Sequence, residues 1–266
     1  MKKEVVDHLG RTVSYDFPPK RIISLCPGIT ETLFALQLDN EIVGRTRFCI
    51  YPKDKVKSVR AVGGTKDIQI DKIHEAKPDL IIVEKEENTK EMVRILEEHY
   101  PVYVAEVQSV EEAYRMIQDL GHITDREKEA NLLSQSIQDQ FRSFPQMNSK
   151  RVVYVIWKKP YMVVGKDTYI QSLLTELGFV NPFIEFNGRY PMVTAEDFQN
   201  AELDYVLLAS EPYPFKEKHI AEFLEIMPNV QPINVDGEMF WYGPKMLEAV
   251  RYLTEVLPNN THISEN

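Results

Sequence analysis

Cysteine is scarce in this chain: Cys26 and Cys49 are the only two among 266 residues. A disulfide scaffold is therefore excluded, and the fold must be held by an ordinary core. One bridge between the two is conceivable only if folding brings them together. Long apolar runs are missing as well. No stretch approaches the roughly 20 apolar residues needed to span a bilayer, so membrane insertion is not expected. The segment Met1-Lys2-Lys3-Glu4-Val5-Val6-Asp7-His8 is followed by no apolar leader core or small-residue cleavage site. As written, that predicts a cytoplasmic protein; a periplasmic or lipid-anchored extracellular place requires that a leader was removed before this numbering begins. Runs of Lys and Arg are absent too, and the formal net charge is −10. Such a surface repels phosphate backbones, so nucleic acid is not an expected partner.

Catalytic signatures are equally thin. Gly63-Gly64-Thr65-Lys66 lacks the spacing that cradles phosphates, and neither a dinucleotide-binding glycine fingerprint nor a Gly-x-Ser-x-Gly elbow occurs. His8, His74, His99, His122, His219 and His262 never fall at metal-ligand spacings and are read as surface or structural residues. The reading contains no catalytic residue, no metal ligand and no cofactor.

What is present is globular: 43% hydrophobic and 27% charged residues exclude default disorder. Short Val/Ile/Leu runs alternate with helical patterns. Strands are expected at Arg21–Leu25, Glu41–Arg45, Asp79–Val83, Val102–Glu106, Arg151–Trp157, Tyr161–Gly165, Tyr205–Ser210 and Gln231–Asp236. Most are continuous apolar runs, as strands covered on both faces require. Ser109 with Glu112 and Asn88 with Glu91 have capping-box spacing, and Gly243-Pro244 places a proline at a helix start. From Asp125 to Phe144 one uninterrupted helical pattern puts Ala130, Leu133, Ile137 and Phe141 on one face. A helix of that length spans about 30 Å. The expected class is therefore α/β: two Rossmann-like lobes with central, mainly parallel sheets, joined by a single long rigid helix, with a ligand cleft between the lobes. The boundaries are residues 1–124 for the first lobe, 125–145 for the helix and 146–266 for the second lobe.

An internal echo points to two lobes. Asp71–Ile82 aligns without gaps to Glu196–Leu207, matching acid to acid, Ile73 to Phe198, Ala76 to Ala201 and Asp79 to Asp204; Gly63 and Gly188 keep the same register. Shared helix-to-strand grammar is the plain alternative to duplication.

Aromatic, acidic and small residues gather just after the strands, at the carboxyl edge where open α/β sheets bind ligands. In chain order these are Cys26-Pro27 at a helix start, Phe48-Cys49-Ile50-Tyr51, Glu84-Lys85-Glu86-Glu87, Trp157-Lys158, Arg189-Tyr190, Glu211-Pro212-Tyr213 and Asp236 through Trp241. Taken singly, Cys26 reads as a small buried residue and Glu84–Glu87 as a solvated turn. Phe240-Trp241-Tyr242, however, cannot all face one core. Both tryptophans of the chain sit at strand ends, which suggests an aromatic-lined pocket for a flat or bulky ligand.

The segments from Arg21 to Leu33, Val62 to Thr65 and Ala76 to Ile82 resemble the hallmark segments of the solute-binding proteins for cobalamin, haem and ferric siderophores. The likeness runs from about Val5 to Leu257 and is nearest the cobalamin-binding branch, the helical-backbone metal receptors. Phe48–Pro52, Lys85–Asn88, Ile156–Pro160 and Asp236–Gly243 resemble a subgroup that often lacks a leader. The resemblance implies that Phe48 faces a corrin, that Thr65 and Tyr190 stand where those proteins carry tryptophans, and that Asp236–Trp241 forms the wall of the second lobe. It also implies that Asp71 and Glu196 dock on a membrane permease. Thr65 departs from the pattern by lacking an aromatic ring.

The expected function follows from the resemblance. It is non-catalytic capture of a metal-chelate ligand, corrinoid first and haem or ferric siderophore next, as the binding component of an ABC (ATP-binding cassette) import system. Aromatic faces would supply affinity by burial, and Lys85, Arg189 and Glu211 would orient the ligand. The full expected contact set is Cys26, Pro27, Phe48, Tyr51, Thr65, Lys85, Glu86, Trp157, Arg189, Tyr190, Glu211, Tyr213, Asp236, Phe240 and Trp241. The alternative is a cytoplasmic corrinoid- or metal-handling enzyme or sensor on the same fold, with Cys26, Cys49 and Glu86 as its reactive groups.

Overall fold

In the computed structural model the described residues are 1–144, 147 and 149–257. His262 and residues 145, 146, 148 and 258–266, parts of the expected helix and second lobe, lie outside them. The chain divides into two compact units, one of Met1–Val107 with Glu111–Ser136, the other of Gln108–Val110 with the chain from Ile137 onward.

The first unit begins with an antiparallel hairpin, β1 (Lys2–Val6) and β2 (Thr12–Asp16). Neither strand was expected, although the second alternates buried and exposed residues along its length. Tyr15 is fully buried, and its hydroxyl donates to the Ile123 carbonyl at 3.0 Å. The main sheet then assembles from β3 (Ile22–Ser24), β4 (Ile42–Arg45), β5 (Leu80–Glu84) and β6 (Val102–Ala105) in the order β4-β3-β5-β6, with every pair parallel. Helices α1 (Pro27–Ala35), α2 (Ile70–Ala76) and α3 (Lys90–Glu97) connect the strands. Every residue of β3, β5 and β6 is buried, which explains why these strands read as continuous apolar runs. Ile23, Ile73, Ile81, Leu96 and Val104 share one core cluster.

Helix α3 is capped by Thr89, whose hydroxyl accepts from Met92 N–H at 3.2 Å. Asn88, the expected cap, is instead buried: its amide donates to the Leu25 and Thr65 carbonyls, and its side-chain oxygen accepts Glu84 N–H. Two helices follow, α4 (Val110–Thr124) and α5 (Glu127–Arg142). They are separated at Asp125, whose φ is 62°. The expected helix of the middle segment is thus α5, two residues shorter at each end.

The second unit holds β7 (Val152–Trp157), β8 (Tyr161–Val163), β9 (Met192–Val193), β10 (Tyr205–Ala209) and β11 (Gln231–Val235) in the order β11-β10-β7-β8-β9. The sheets are mainly parallel, as expected, and this one carries an antiparallel addition. β7, β10 and β11 are parallel, but β8 and β9 run antiparallel at one side. The turn Lys158-Lys159-Pro160 is too short for a crossover helix, so it can only return the chain as a hairpin. Helices α6 (Tyr169–Glu176), α7 (Ala195–Asn200), α8 (Glu217–Ile226) and α9 (Lys245–Val256) complete the unit. Pro244, expected as the first helical residue, is instead the N-cap of α9, one position before its first residue Lys245. Phe183, Phe198 and Phe223 pack edge to face at the centre of the core cluster.

The echo in sequence is an echo in bonding. Asp79 accepts the N–H groups of Lys20 and Arg21 at 2.7 and 2.9 Å, and Arg21 Nε donates to the Ala76 carbonyl at 3.0 Å. In the second unit Asp204 accepts Arg151 N–H at 2.7 Å, and Arg151 Nε donates to the Ala201 carbonyl at 2.8 Å. Each unit thus ties the start of its first parallel strand to the helix-to-strand turn before the strand beside it, β5 beside β3 and β10 beside β7.

Candidate functional site

In the first unit the loops beyond the strand carboxyl ends rest on a buried polar floor. Cys26 is the N-cap of α1 and, like Cys49, is almost wholly buried. The Thr30 hydroxyl lies 2.9 Å from the Cys26 carbonyl, 2.8 Å from Ser24 Oγ and 3.1 Å from Cys49 Sγ; Thr46 Oγ1 is also 3.1 Å from that sulfur. Burial raises the Cys49 thiol pKa, the wrong direction for a nucleophile or a metal-binding thiolate. Cys26 is buried at the start of α1. Pro27 is half-buried at the first turn of α1.

Above this floor, Phe48 is 47% exposed, an unusual state for so large an apolar ring. The Arg47 guanidinium sits 4.8 Å from its ring centre and is held by Asp67 through two bonds of 2.9 and 3.0 Å. This pair closes over Gly64, where a Cβ would fall 2.4 Å from Asp67 Oδ1 and 2.8 Å from Arg47 Nη2. Arg47 was missed by the sequence reading. Its signal, a cation beside an aromatic after a strand, was available. Tyr51 is half-buried, with Lys53 Nζ 5.2 Å from its ring. Thr65 is half-buried beside Asn88.

Glu84 ends β5 and is the largest departure from expectation. It belongs to no solvated turn: it is buried, and its carboxylate accepts N–H groups from Glu86, Glu87 and Val107 at 2.7, 2.9 and 3.3 Å. Burial outweighs those bonds and pushes its pKa up to about 7. Lys85 and Glu86, on the turn that this carboxylate organises, are exposed, and Lys85 Nζ pairs with Glu106 at 2.5 Å.

In the second unit the equivalent edge is aromatic. Trp157, the last residue of β7, is 40% exposed and meets the Tyr213 ring edge to face at 5.6 Å. Tyr213 in turn contacts Phe215 at 4.7 Å. Trp241 Nε1 donates to Glu211 Oε1 at 2.8 Å. Glu211 lies against Gly237, where a Cβ would fall 2.6 Å from Glu211 Cγ. Asp236 caps the short turn that follows, accepting Glu238 N–H at 3.0 Å, and its own N–H donates to the Tyr252 hydroxyl at 2.7 Å. Phe240 requires correction. It is 2% exposed, packed 4.6 Å from the Tyr154 ring, and belongs to the core. Trp241 and Tyr242 are half-buried. Arg189 Nε donates to the Asp167 carbonyl at 2.7 Å, and Arg189 lies 5.8 Å from the Tyr190 ring. Asp71 and Glu196 are exposed in the first turns of α2 and α7.

Among the described residues no group of three or more His, Cys, Asp or Glu side chains is arranged to hold a metal ion, and no helix is long and apolar enough to cross a membrane. Residues 22–231 match the family described as periplasmic binding protein. The chain belongs to this family.

Relatives within and near the family bear consistent names. A vitamin B12-binding protein of Vibrio cholerae is 28% identical over 68% of this chain and 67% of its own length. An uncharacterized ABC transporter substrate-binding lipoprotein of Bacillus subtilis is 24% identical over 96% of this chain and 85% of its own. Among solved structures, the periplasmic vitamin B12-binding protein BtuF of Vibrio cholerae matches with a TM-score of 0.73 and 24% identity over 91% of this chain and 99% of that one. The periplasmic haem-binding protein HutB of the same species matches with a TM-score of 0.75 and 19% identity, over 90% and 99%. These two likenesses establish the shared α/β fold of periplasmic binding proteins. The named relatives are binding proteins, and they are periplasmic or lipoproteins, which lends no support to the cytoplasmic expectation.

Proposed function

We propose that this chain is the solute-binding component of an ABC import system and captures a flat metal chelate without chemistry, a corrinoid first and haem or a ferric siderophore next. Family membership supplies the class. The observation that carries the ligand class is the exposure of Phe48 and Trp157 at strand carboxyl ends, one in each unit. Large rings left open to solvent at that edge gain most of their affinity by burying apolar area against a ligand, at roughly 25 cal/mol per Å² before ordering costs. Tyr51, Tyr190, Tyr213 and Trp241 extend the aromatic surface, while Lys85, Glu86, Arg189, Glu211 and Asp236 supply polar groups, and Pro27 and Thr65 line the adjoining loops. The cleft shared by two lobes, and the helix of residues 125–145 as its strut, belong to this proposal and rest on the family resemblance.

Asp71 and Glu196, exposed and equivalent in the echo, are the proposed docking points on a permease. On this reading the protein works on the outer face of the cytoplasmic membrane, and cell fractionation tests that location. The ligand test is a titration of intrinsic tryptophan fluorescence with cyanocobalamin, cobinamide, haemin and ferric siderophores. Saturable quenching by one of them is expected; no response to any of them refutes the reading. An enzymatic reading draws no support from Cys49, whose thiol is buried with a raised pKa.

A further inference from the structure

Helices α3 and α8 occupy equivalent places, each following the parallel strand that lies beside the first one of its unit (β5 beside β3, β10 beside β7), yet they are capped differently. The α3 cap is the Thr89 hydroxyl, a group that does not titrate. The α8 cap, Lys216, offers no side-chain oxygen. His219, three residues into the helix, fills the gap instead: its Nδ1 accepts Lys216 N–H at 2.8 Å. That place is usually taken by Glu or Gln reaching back to the cap. An accepting Nδ1 fixes the neutral ring with its proton on Nε2, which lies 3.5 Å from the Tyr213 hydroxyl.

The ring is 2% exposed and wedged between Tyr213 at 5.6 Å and Phe215 at 5.3 Å. Tyr213 is the residue that backs Trp157. The chain of contacts therefore runs from a titratable cap, through one tyrosine, to the exposed tryptophan. The charged and titratable groups around the ring are Lys158 of the β7–β8 hairpin, Glu222 and Lys218 of α8, and Tyr213. Lys158 pairs with Glu222, so the nearest anion is already engaged. Burial first, then the Lys158 charge, hold the His219 pKa below the ordinary histidine value, so the ring is neutral at pH 7.

We propose that His219 is a positioning residue: its neutral ring, locked by Lys216 N–H, holds Tyr213 against Trp157, and a second proton on the ring releases that aromatic wall and weakens ligand capture. A proton on Nδ1 removes the acceptor for Lys216 N–H and sets two donors face to face, which costs both the helix cap and the ring's orientation. The weakening of ligand capture rests on the proposed function; the movement of Trp157 does not.

The test uses the intact chain labelled with 5-fluorotryptophan, whose two tryptophans give separate fluorine resonances that Trp241→Phe assigns. The Trp157 resonance is expected to move as pH falls from about 8 to about 5, with a midpoint below the ordinary histidine value. His219→Gln, whose amide oxygen can take Lys216 N–H, is expected to hold it at its neutral-pH position throughout. His219→Leu is expected to fix it at the acid position, and if that variant fails to fold, the glutamine variant carries the test alone. Cyanocobalamin affinity is expected to fall by roughly three- to tenfold over the same range in the unmodified protein and to stay flat in His219→Gln. A Trp157 shift that persists in His219→Gln, or none in the unmodified protein, overturns the proposal. If the resonances behave as expected while cyanocobalamin binds at no pH, the ligand reading fails and the positioning role stands.

Discussion

The two units solve one problem with the same frame and different edges. In both, an arginine at the start of the first parallel strand donates to a carbonyl at the end of the helix before the strand beside it (β5 or β10), and an aspartate there accepts the N–H of the arginine. Beyond that frame they diverge. Beside its first parallel strand the first unit adds β4 in parallel through α1, whereas the second adds β8 as an antiparallel hairpin. At the end of β5 the first unit buries Glu84, and the second has Ala209 at the aligned position in β10. The floor of the first is hydroxyl and thiol, and the wall of the second is aromatic. A repeated frame can thus carry two different loop surfaces, because strand burial and turn anchoring demand little of the loops at the other end of the strands.

The sharpest way to test the equivalence is to cut matched core residues. Phe198 and Ile73 align and are both fully buried. Phe198→Ala should cost about 3–5 kcal/mol and Ile73→Ala about 2–5 kcal/mol by chemical denaturation. The first should be the larger, since Phe198 also loses edge contacts with Tyr161, Phe183 and Phe223. A cost under about 1 kcal/mol for Phe198→Ala would contradict the packing described.

The next test separates the units by pH. Glu84 carries its proton up to about 7 in the folded chain, against an ordinary value of 4.5. The folded state therefore binds more proton than the unfolded state between those values, and stability falls as pH rises through them. The contribution is fully present below about 4.5 and lost above about 7, amounting to ~3 kcal/mol at most. Glu84→Gln should flatten that slope in a pH series of denaturation curves, while Ala209 gives the second unit no counterpart.

Smaller effects are expected at the two glycines that let polar pairs seat their aromatics. Gly237→Ala forces Glu211 aside at Cγ and should cost about 1–3 kcal/mol and red-shift tryptophan emission as the Trp241 bond breaks. Gly64→Ala meets only the far ends of Arg47 and Asp67, both exposed, and should cost less than about 1 kcal/mol. Equal costs would erase the distinction drawn between the two edges. Least of all for the fold, Asp71→Lys and Glu196→Lys should change stability by no more than about 0.5 kcal/mol and leave ligand titrations unchanged. Either should abolish ligand-dependent co-purification with a permease, and unimpaired capture would remove the docking proposal.

How far the sequence could be read depended on the kind of signal. The parallel strands were legible because a strand buried on both faces must be apolar throughout, as Leu80–Val83 and Tyr205–Ala209 are. The β1–β2 hairpin went unread because its second strand alternates over only five residues and its first strand is mostly exposed. At the candidate site, Trp157 and Phe48 were legible as large rings placed at strand ends. Phe240 was misjudged beside Trp241 because a single short helical turn, Gly237–Phe240, sends one ring onto Tyr154 and lets the other reach Glu211. Arg47 and His219 were passed over because their partners lie 20 and 6 residues away in sequence for Asp67 and Tyr213, or depend on which ring nitrogen accepts.

The order of apolar runs and the approximate helix starts were set by the sequence itself, since each depends on local periodicity. Which rings stay exposed, which carboxylate is drawn inside and which backbone groups Asp79 and Asp204 anchor were decided only in the folded chain. Those outcomes turn on distances between segments far apart in sequence, and on the cost of leaving a buried polar group without a partner, neither of which has any local signature.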